Sequence, residues 1–295
     1  MASLVKDLVE AGIHFGHRST HWNPKMAPYI FGKRNKIHII DVKQTIKGLL
    51  LARKYITRTV SQGKDVLFVG TKRQARNSIQ QHVGDVGMHH CTERWLGGTL
   101  TNFRTIRERL KRLEELEQIE ESGQIDNYSK KMESQIRREK NKILRNLSGI
   151  RNMTKLPGVM IVIDPRLETN AVKEARKLGI PTICLIDTDS DPDFADIPIP
   201  GNDDAMRAID LIVSSLCAAV AEGKTQRTEQ AQGADDSAAD AEPTRKRSRR
   251  AQFSADAPAP ESPEAPEASS APEPAPETIA ETVPPASSET NQPSA

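Results

Sequence analysis

The chain has only three cysteines, Cys91, Cys184 and Cys217, scattered and without a CxxC pair. An odd, dispersed set of this kind excludes a disulfide framework and a cysteine-rich zinc site. No apolar run approaches the ~18 residues of a membrane span. The N-terminus is charged and carries histidines, unlike a signal sequence. A soluble, cytosolic protein is expected, with no membrane partner. Catalytic signatures are missing too: no Ser/His/Asp order, nucleophile elbow or carboxylate pair stands out. Neither GxGxxG nor the Walker A spacing occurs. Gly70-Thr71-Lys72-Arg73 follows an apolar strand-like run and opens a helix, a favourable place for an anion. Without the glycine spacing it reads as a contact for an RNA phosphate, not as a nucleotide loop. No small-molecule substrate and no cofactor are expected, and an enzyme would have to rest on fold analogy alone.

Large apolar residues are scarce from Lys224 onward. That part holds 11 of the 19 prolines, with 7 Lys and Arg against 13 Asp and Glu. Such a composition cannot offset the entropy of ordering, so residues 224–295 are expected to be a disordered tail. A compact basic cluster, Arg245 to Arg250, interrupts its acidity. Residues 1–223 carry 35 Lys and Arg against 27 Asp and Glu, so the overall charge of +2 hides a basic body. A basic body suits a polyanionic partner.

Within the body, three apolar runs of strand length, at 66–69 (VLFV), 159–163 (VMIVI) and 182–186 (TICLI), alternate with helical segments at 42–60, 71–82 and 168–178. A shorter strand is expected at 37–40 and another at 197–199, with a first helix at 3–11 and a last at 203–222. This alternation predicts an α/β fold, a parallel sheet covered on both faces. Residues 12–36 read as a loop.

Residues 104–150 break the pattern. Ile106, Leu110, Leu113 and Leu116, then Ile136, Ile143, Leu147 and Ile150, form thin apolar stripes at helical spacing on highly charged helices. With a break at 123–127 they predict an antiparallel coiled-coil hairpin inserted between strands, a docking arm. The expected organisation is a body of residues 1–103 and 151–223, the hairpin 104–150, and the tail.

Other candidate sites are weaker. His14, His17 and His21 have no evident carboxylate to orient them, so no metal site is expected. Asp187, Asp189, Asp191 and Asp193 alternate like the start of a calcium loop, but Pro192 and Pro198 occupy its sixth and twelfth positions. Asx-turn chemistry suits them better, and Asn202-Asp203-Asp204 reads as a helix cap. Residues 93–102 (ERWLGGTLTN) pair Arg94 with Trp95 beside Gly97 and Gly98. This is either a core tryptophan beside a tight turn or a charge with a stacking face for looped RNA.

Taken together the motifs are specific. Ala11-Gly12-Ile13-His14-Phe15-Gly16-His17, Trp22-Asn23-Pro24-Lys25-Met26, Phe68 to Arg73, Arg94 to Gly98, the stretch from Pro157 to Pro181, and Asp187 to Asp204 follow one another. In that order they resemble the bacterial type of the small-subunit ribosomal protein family numbered two, over about residues 3–223. The resemblance implies a flavodoxin-like three-layer α/β/α body with a protruding coiled-coil hairpin. It implies small-subunit ribosomal RNA as partner, together with neighbouring ribosomal proteins including the large messenger-binding one, and no catalysis. The family usually ends soon after its final helix, so the tail is a departure. The candidate RNA-binding residues are His17, Arg18, Trp22, Lys25, Arg34, Lys36, Lys72, Arg73, Arg94, Trp95 and Asn102. The rival reading is a nucleotide-binding or enzymatic domain on the same fold.

Overall fold

The computed structural model describes residues 2–239, with the side chains of residues 2–4, 126–127 and 231–239 left aside. Five parallel strands make the central sheet: β4 (Val66–Val69), β5 (His89–Cys91), β6 (Val159–Ile163), β7 (Thr182–Ile186) and β8 (Ile197–Pro200). Every residue of β4, β6 and β7 is buried, because helices cover both faces. The spatial order is β5-β4-β6-β7-β8. Counted within this sheet that is 2-1-3-4-5, the flavodoxin-like doubly wound order, whose direction reverses between β4 and β6.

Side chains alternate across the sheet, so each strand feeds two cores. On one face Phe68, Val159, Ile161 and Ile183 pack against α2 (Val42–Ser61), α3 (Arg73–Asp85) and α7 (Met206–Ala239), through residues such as Leu49, Ile56, Ile79 and Leu216. On the other, Leu67, Val69, Met160 and Val162 meet α6 (Thr169–Leu178) through Ala171, Val172 and Ala175. Trp95, Leu113 and Leu147 belong to this second core. The core therefore runs into the base of the inserted helices.

Those helices are α4 (Phe103–Glu121) and α5 (Lys130–Leu147), lying between β5 and β6 in the chain. Of the expected stripe, α4 buries Ile106, Leu110, Leu113 and Leu116, whereas α5 buries only Ile143 and Leu147. Gly123, at φ 69, ends the first helix in the left-handed conformation, and Ser129 caps the second. Ion pairs between Lys140 and Glu120 and between Arg112 and Glu139 join the two helices.

Three features depart from the sequence expectation. Residues 12–36 contain strands, β1 (Phe15–Arg18) and β2 (Ile30–Arg34), which pair antiparallel with β3 (Ile37–Ile40) in a separate sheet ordered β1-β3-β2. The turn between β2 and β3 uses Asn35 at φ 51 and Lys36 at φ 63. This is the two-residue mirror-image turn that glycine usually signals, and here no glycine announces it. Strand β5 is three residues long and two of them are histidine, too short and polar for a periodic signal. Finally, α7 continues to Ala239, so residues 224–239, assigned to the disordered tail from composition, are helical. They contain no proline and extend an already packed helix, which removes the cost of nucleation. The rest of the expected tail, with the basic cluster 245–250, lies outside the described residues. No described helix is long and apolar enough to cross a membrane.

Gly48 marks a close approach of α2 to β8: a Cβ there would collide with the carbonyl oxygen of Pro198. Gly48→Ala should cost about 1–3 kcal/mol through overpacking. At about 2–4 °C per kcal/mol for a domain of this size, a thermal melt would show it directly. Gly84 in α3 has open space around its missing Cβ, and Gly84→Ala should leave the midpoint unchanged or raise it.

Candidate functional site

Three strands of the main sheet end close together where its order reverses, the place at which doubly wound proteins usually hold ligands. Gly70 follows β4, and Lys72 stands at the start of α3. The Lys72 ammonium lies 2.8 Å from Asp203 Oδ1, 2.7 Å from Asp204 Oδ1 and 3.5 Å from Asp164 Oδ2. Asp164 follows β6 with a positive φ of 62, and its Oδ1 accepts the backbone N–H groups of Arg166 and Leu167. Asp203 belongs to the turn into α7, where Asn202 Oδ1 accepts the N–H groups of Asp204 and Ala205. Asn202 is thus the cap of that turn, and Asp203, read from the sequence as part of a cap, is buried against Lys72.

The small sheet closes over this cluster. His17 Nδ1 is 2.7 Å from Asp187 Oδ2, its Nε2 is 3.5 Å from Asp204 Oδ2, and its backbone N–H donates to Thr188 Oγ1. Gly16 permits the approach, since a Cβ there would stand 2.6 Å from the Thr188 methyl. Lys25 reaches Asp191 at 2.8 Å and also pairs with Asp193. Arg166 pairs with Asp189. The four alternating aspartates therefore staple the N-terminal segment and the β6–α6 turn to the end of β7. Asp191 also makes the expected Asx turn, accepting the Asp193 N–H.

The electrostatics follow from burial and these partners. The hydrogen bond to Asp187 raises His17 to about 9, more than its desolvation lowers it. Burial opposes the charge on Lys72, but the hydrogen bonds to Asp203 and Asp204 outweigh it and the net shift is upward. Burial, then the neighbouring Asp164, push Asp203 upward. Burial likewise raises Glu168, which accepts the Thr71 hydroxyl. One donor atom each of His17, Asp187 and Asp203 lie within 4.8 Å of one another, and Asp203 Oδ2 accepts no hydrogen bond. Among the described residues, these three are the set whose spacing could hold a metal ion. The carboxylate beside His17 that the sequence did not reveal is Asp187, 170 residues away in the chain.

A second buried carboxylate organises the junction to the helical arm. Glu174 on α6 accepts from Trp95 Nε1 at 3.1 Å and the Gly98 N–H at 2.8 Å through Oε1. Through Oε2 it accepts the N–H groups of Leu100 and Thr101 and the Thr101 hydroxyl. Gly98 takes φ 91, a conformation side chains resist, so that its N–H can join this set. Arg94 lies exposed beside Lys142 and Arg145 of α5, with Asn141 and Asn146, around a shallow basic depression.

The profile of the family described as Ribosomal protein S2 matches residues 8–223. The chain belongs to the ribosomal protein S2 family. Curated relatives named small ribosomal subunit protein uS2 are similar to it over most of both lengths. That of Rhodopirellula baltica is 56% identical over 223 residues, 76% of this chain and 86% of the relative. That of Syntrophobacter fumaroxidans is 49% identical over 231 residues, 78% and 84% of the two chains. That of Rippkaea orientalis is 48% identical over 230 residues, covering 78% and 86%. The S2 family is a ribosomal one and not a family of enzymes.

In this S2 chain the candidate residues divide into two groups. Arg18, Trp22, Arg34, Lys36, Arg73, Arg94 and Asn102 are exposed. Lys72 and His17 are drawn into the acidic cluster, and Lys25, although exposed, is paired with two aspartates. Trp95 is 7% exposed and held by Glu174. The stacking reading of Trp95 is therefore corrected in favour of the core reading, because its indole N–H finds a buried acceptor. Sequence reasoning missed Phe31, which is 80% exposed on β2. Its strand was read as loop, so nothing marked the side chain as facing outward.

The five donors outweigh the burial of Glu174 and hold its pKa below the usual carboxylate range. A depressed pKa contributes stability above the unfolded value, lost as pH falls through the folded one. Acid should loosen the 95–101 segment over that window, read as a change in Trp95 emission in a Trp22→Phe background. Glu174→Gln turns one accepting oxygen into a donor facing donors. It should cost about 1–3 kcal/mol and remove that titration.

Proposed function

We propose that the chain is a structural constituent of the bacterial small ribosomal subunit that binds small-subunit ribosomal RNA in the cytoplasm. In the same role it helps dock the large messenger-binding ribosomal protein, with the α4–α5 arm as a coiled-coil docking element. Membership of the S2 family supports the ribosomal assignment. The observation that carries RNA binding is the surface of the small sheet and the segment that follows β1. Arg18, Lys33, Arg34 and Lys36 are exposed there, and so is Trp22. Cations beside an accessible ring suit RNA, whose phosphates supply most of the affinity and whose unstacked bases seek aromatic faces. Arg73 and Arg94 are further exposed cations. Phe31 offers an apolar ring on the same sheet, and exposed aromatic side chains of this kind anchor protein partners.

The rival nucleotide-binding reading meets an electrostatic obstacle. Asp164, Asp187, Asp203 and Asp204 crowd the switch point, and its lysine is already paired. A nucleotide phosphate there would face carboxylates. The same pairing occupies Lys72 and His17, so the RNA-binding reading leans on the exposed cations instead.

Sedimentation of a cell extract at low and high magnesium, with detection of this chain, tests the assignment. The chain should travel with the small subunit and stay with it when subunits separate; a chain soluble under both conditions refutes the proposal. In binding to small-subunit particles that lack it, the double variant Arg34→Glu/Lys36→Glu should weaken association by ten-fold or more. Its thermal midpoint should not change. The slope of log affinity against log salt should also flatten by about 0.7–0.9 for every phosphate no longer neutralised. Lys72→Glu should instead lower the thermal midpoint by several degrees, since it adds a carboxylate to an acidic cluster.

A further inference from the structure

A polar cleft of about 410 Å³ opens between the segment after β1 and the ends of β6 and β7. Thr20, His21, Trp22, Asn23 and Pro24 line one side of it, and Arg166 and Asp189 the other. The residues around this shallow cleft are held from several directions. The Asn23 backbone N–H donates to the Thr188 carbonyl at 2.8 Å, and the His21 N–H donates to the Arg18 carbonyl at 2.9 Å. Arg166 is paired with Asp189 across the far side.

Trp22, 39% exposed, is one of the residues that line the cleft. Beside it lies His38 of β3, the ring centroids 5.1 Å apart and the planes tilted by 38°. His38 is buried, and neither of its ring nitrogens has a hydrogen-bond partner. Burial, then the charge of Lys33, lower its pKa and keep the ring neutral. A buried imidazole without partners is an expensive backing for a surface tryptophan. What it provides is a flat, uncharged brace that holds the indole in one orientation. A braced and partly exposed indole is a stacking platform.

The rim of the cleft selects what can lie on that platform. Asn23 Oδ1 is occupied, accepting the Lys25 N–H, which leaves the amide NH₂ as the group to offer. The Arg166 guanidinium is 64% exposed and offers further N–H donors. The carboxylate of Asp189 in the wall repels a phosphate, so the ring of a nucleotide suits the interior and its phosphate the outside. Donors at the rim match carbonyl oxygens, of which uracil carries two, guanine and cytosine one each and adenine none.

We propose that this cleft receives one unstacked base of single-stranded or looped RNA, uracil by preference, stacked on Trp22 and met at its carbonyl oxygens by Asn23 and Arg166. The inference rests on the RNA-binding reading and adds to it a base-selective subsite at Trp22. Phosphate contacts position an RNA and base contacts select it.

The test uses the full-length chain labelled with 5-fluorotryptophan, whose two fluorine resonances are assigned with Trp22→Phe. Hexamers of uridine, of adenosine and of abasic ribose phosphate are titrated in at low salt, with binding followed in parallel by fluorescence anisotropy. The uridine hexamer should move the Trp22 resonance and leave that of Trp95 in place. It should bind at least five-fold more tightly than the adenosine and abasic hexamers. Arg166→Ala should remove the preference for uridine over adenosine, read as the ratio of the two affinities, which a general loss of phosphate attraction would leave in place. Trp22→Leu should abolish the advantage over the abasic hexamer, and Trp22→Phe should restore most of it.

Equal binding of all three hexamers with a stationary Trp22 resonance overturns the cleft and leaves the RNA-binding reading standing. No binding of any hexamer overturns both. Uridine monophosphate that moves the resonance at the same concentration as the hexamer assigns the cleft to a free nucleotide, and overturns the proposal in that way.

Discussion

A single ammonium group, that of Lys72, stands where β4, β6 and the turn into α7 converge, with three aspartates around it. Much of the molecule's organisation follows from that placement. The C-terminal ends of the strands cannot be left as bare buried charge, so the carboxylates and the lysine have to meet there. The N-terminal segment then closes over them through His17 and Lys25, and the small sheet is carried to the edge of the main one. A doubly wound fold normally offers this crevice to a ligand. Here the chain's own side chains line it, and the surface left for a large partner is peripheral.

The second organising group, Glu174, does for the arm what Lys72 does for the sheet edge. Five donors from Trp95 to Thr101 converge on one carboxylate, which fixes the chain direction just before α4 begins at Phe103. Arg94, outside this network, is thereby held at the exposed rim beside α5. Burial of Trp95 and exposure of Arg94 are two consequences of one anchor. The two tryptophans thus end in opposite roles: Trp95 spends its N–H inside, and Trp22 keeps part of its ring outside.

The main sheet was legible in the sequence because its three central strands are buried on both faces and read as continuous apolar runs. Their helices showed a clear period, and the insertion announced itself by breaking the alternation. Of the small sheet only β3, expected as a strand at 37–40, was legible. The sheet's strands are four or five residues long, partly exposed, and joined by Asn35-Lys36 instead of a glycine turn. For the site, residue type alone found the cations but could not separate paired from unpaired ones. Lys72 and Arg73 are neighbours in sequence, yet one is drawn into an acidic cluster and the other is exposed. Partners such as Asp203, more than a hundred residues away, decide the difference, and no local pattern carries that information. The continuation of α7 past residue 223 was missed because composition was averaged over a region whose first part lacks proline.

The central claim is that RNA is met beside the small sheet and not at the switch point, and cross-linking from position 22 tests it most directly. A photoreactive phenylalanine analogue in place of Trp22 keeps an aromatic ring against His38 and should disturb the fold little. Irradiation of cells carrying it should join the chain to small-subunit ribosomal RNA. Irradiated cells in which the chain enters the small subunit but yields no RNA adduct from position 22 would contradict the account.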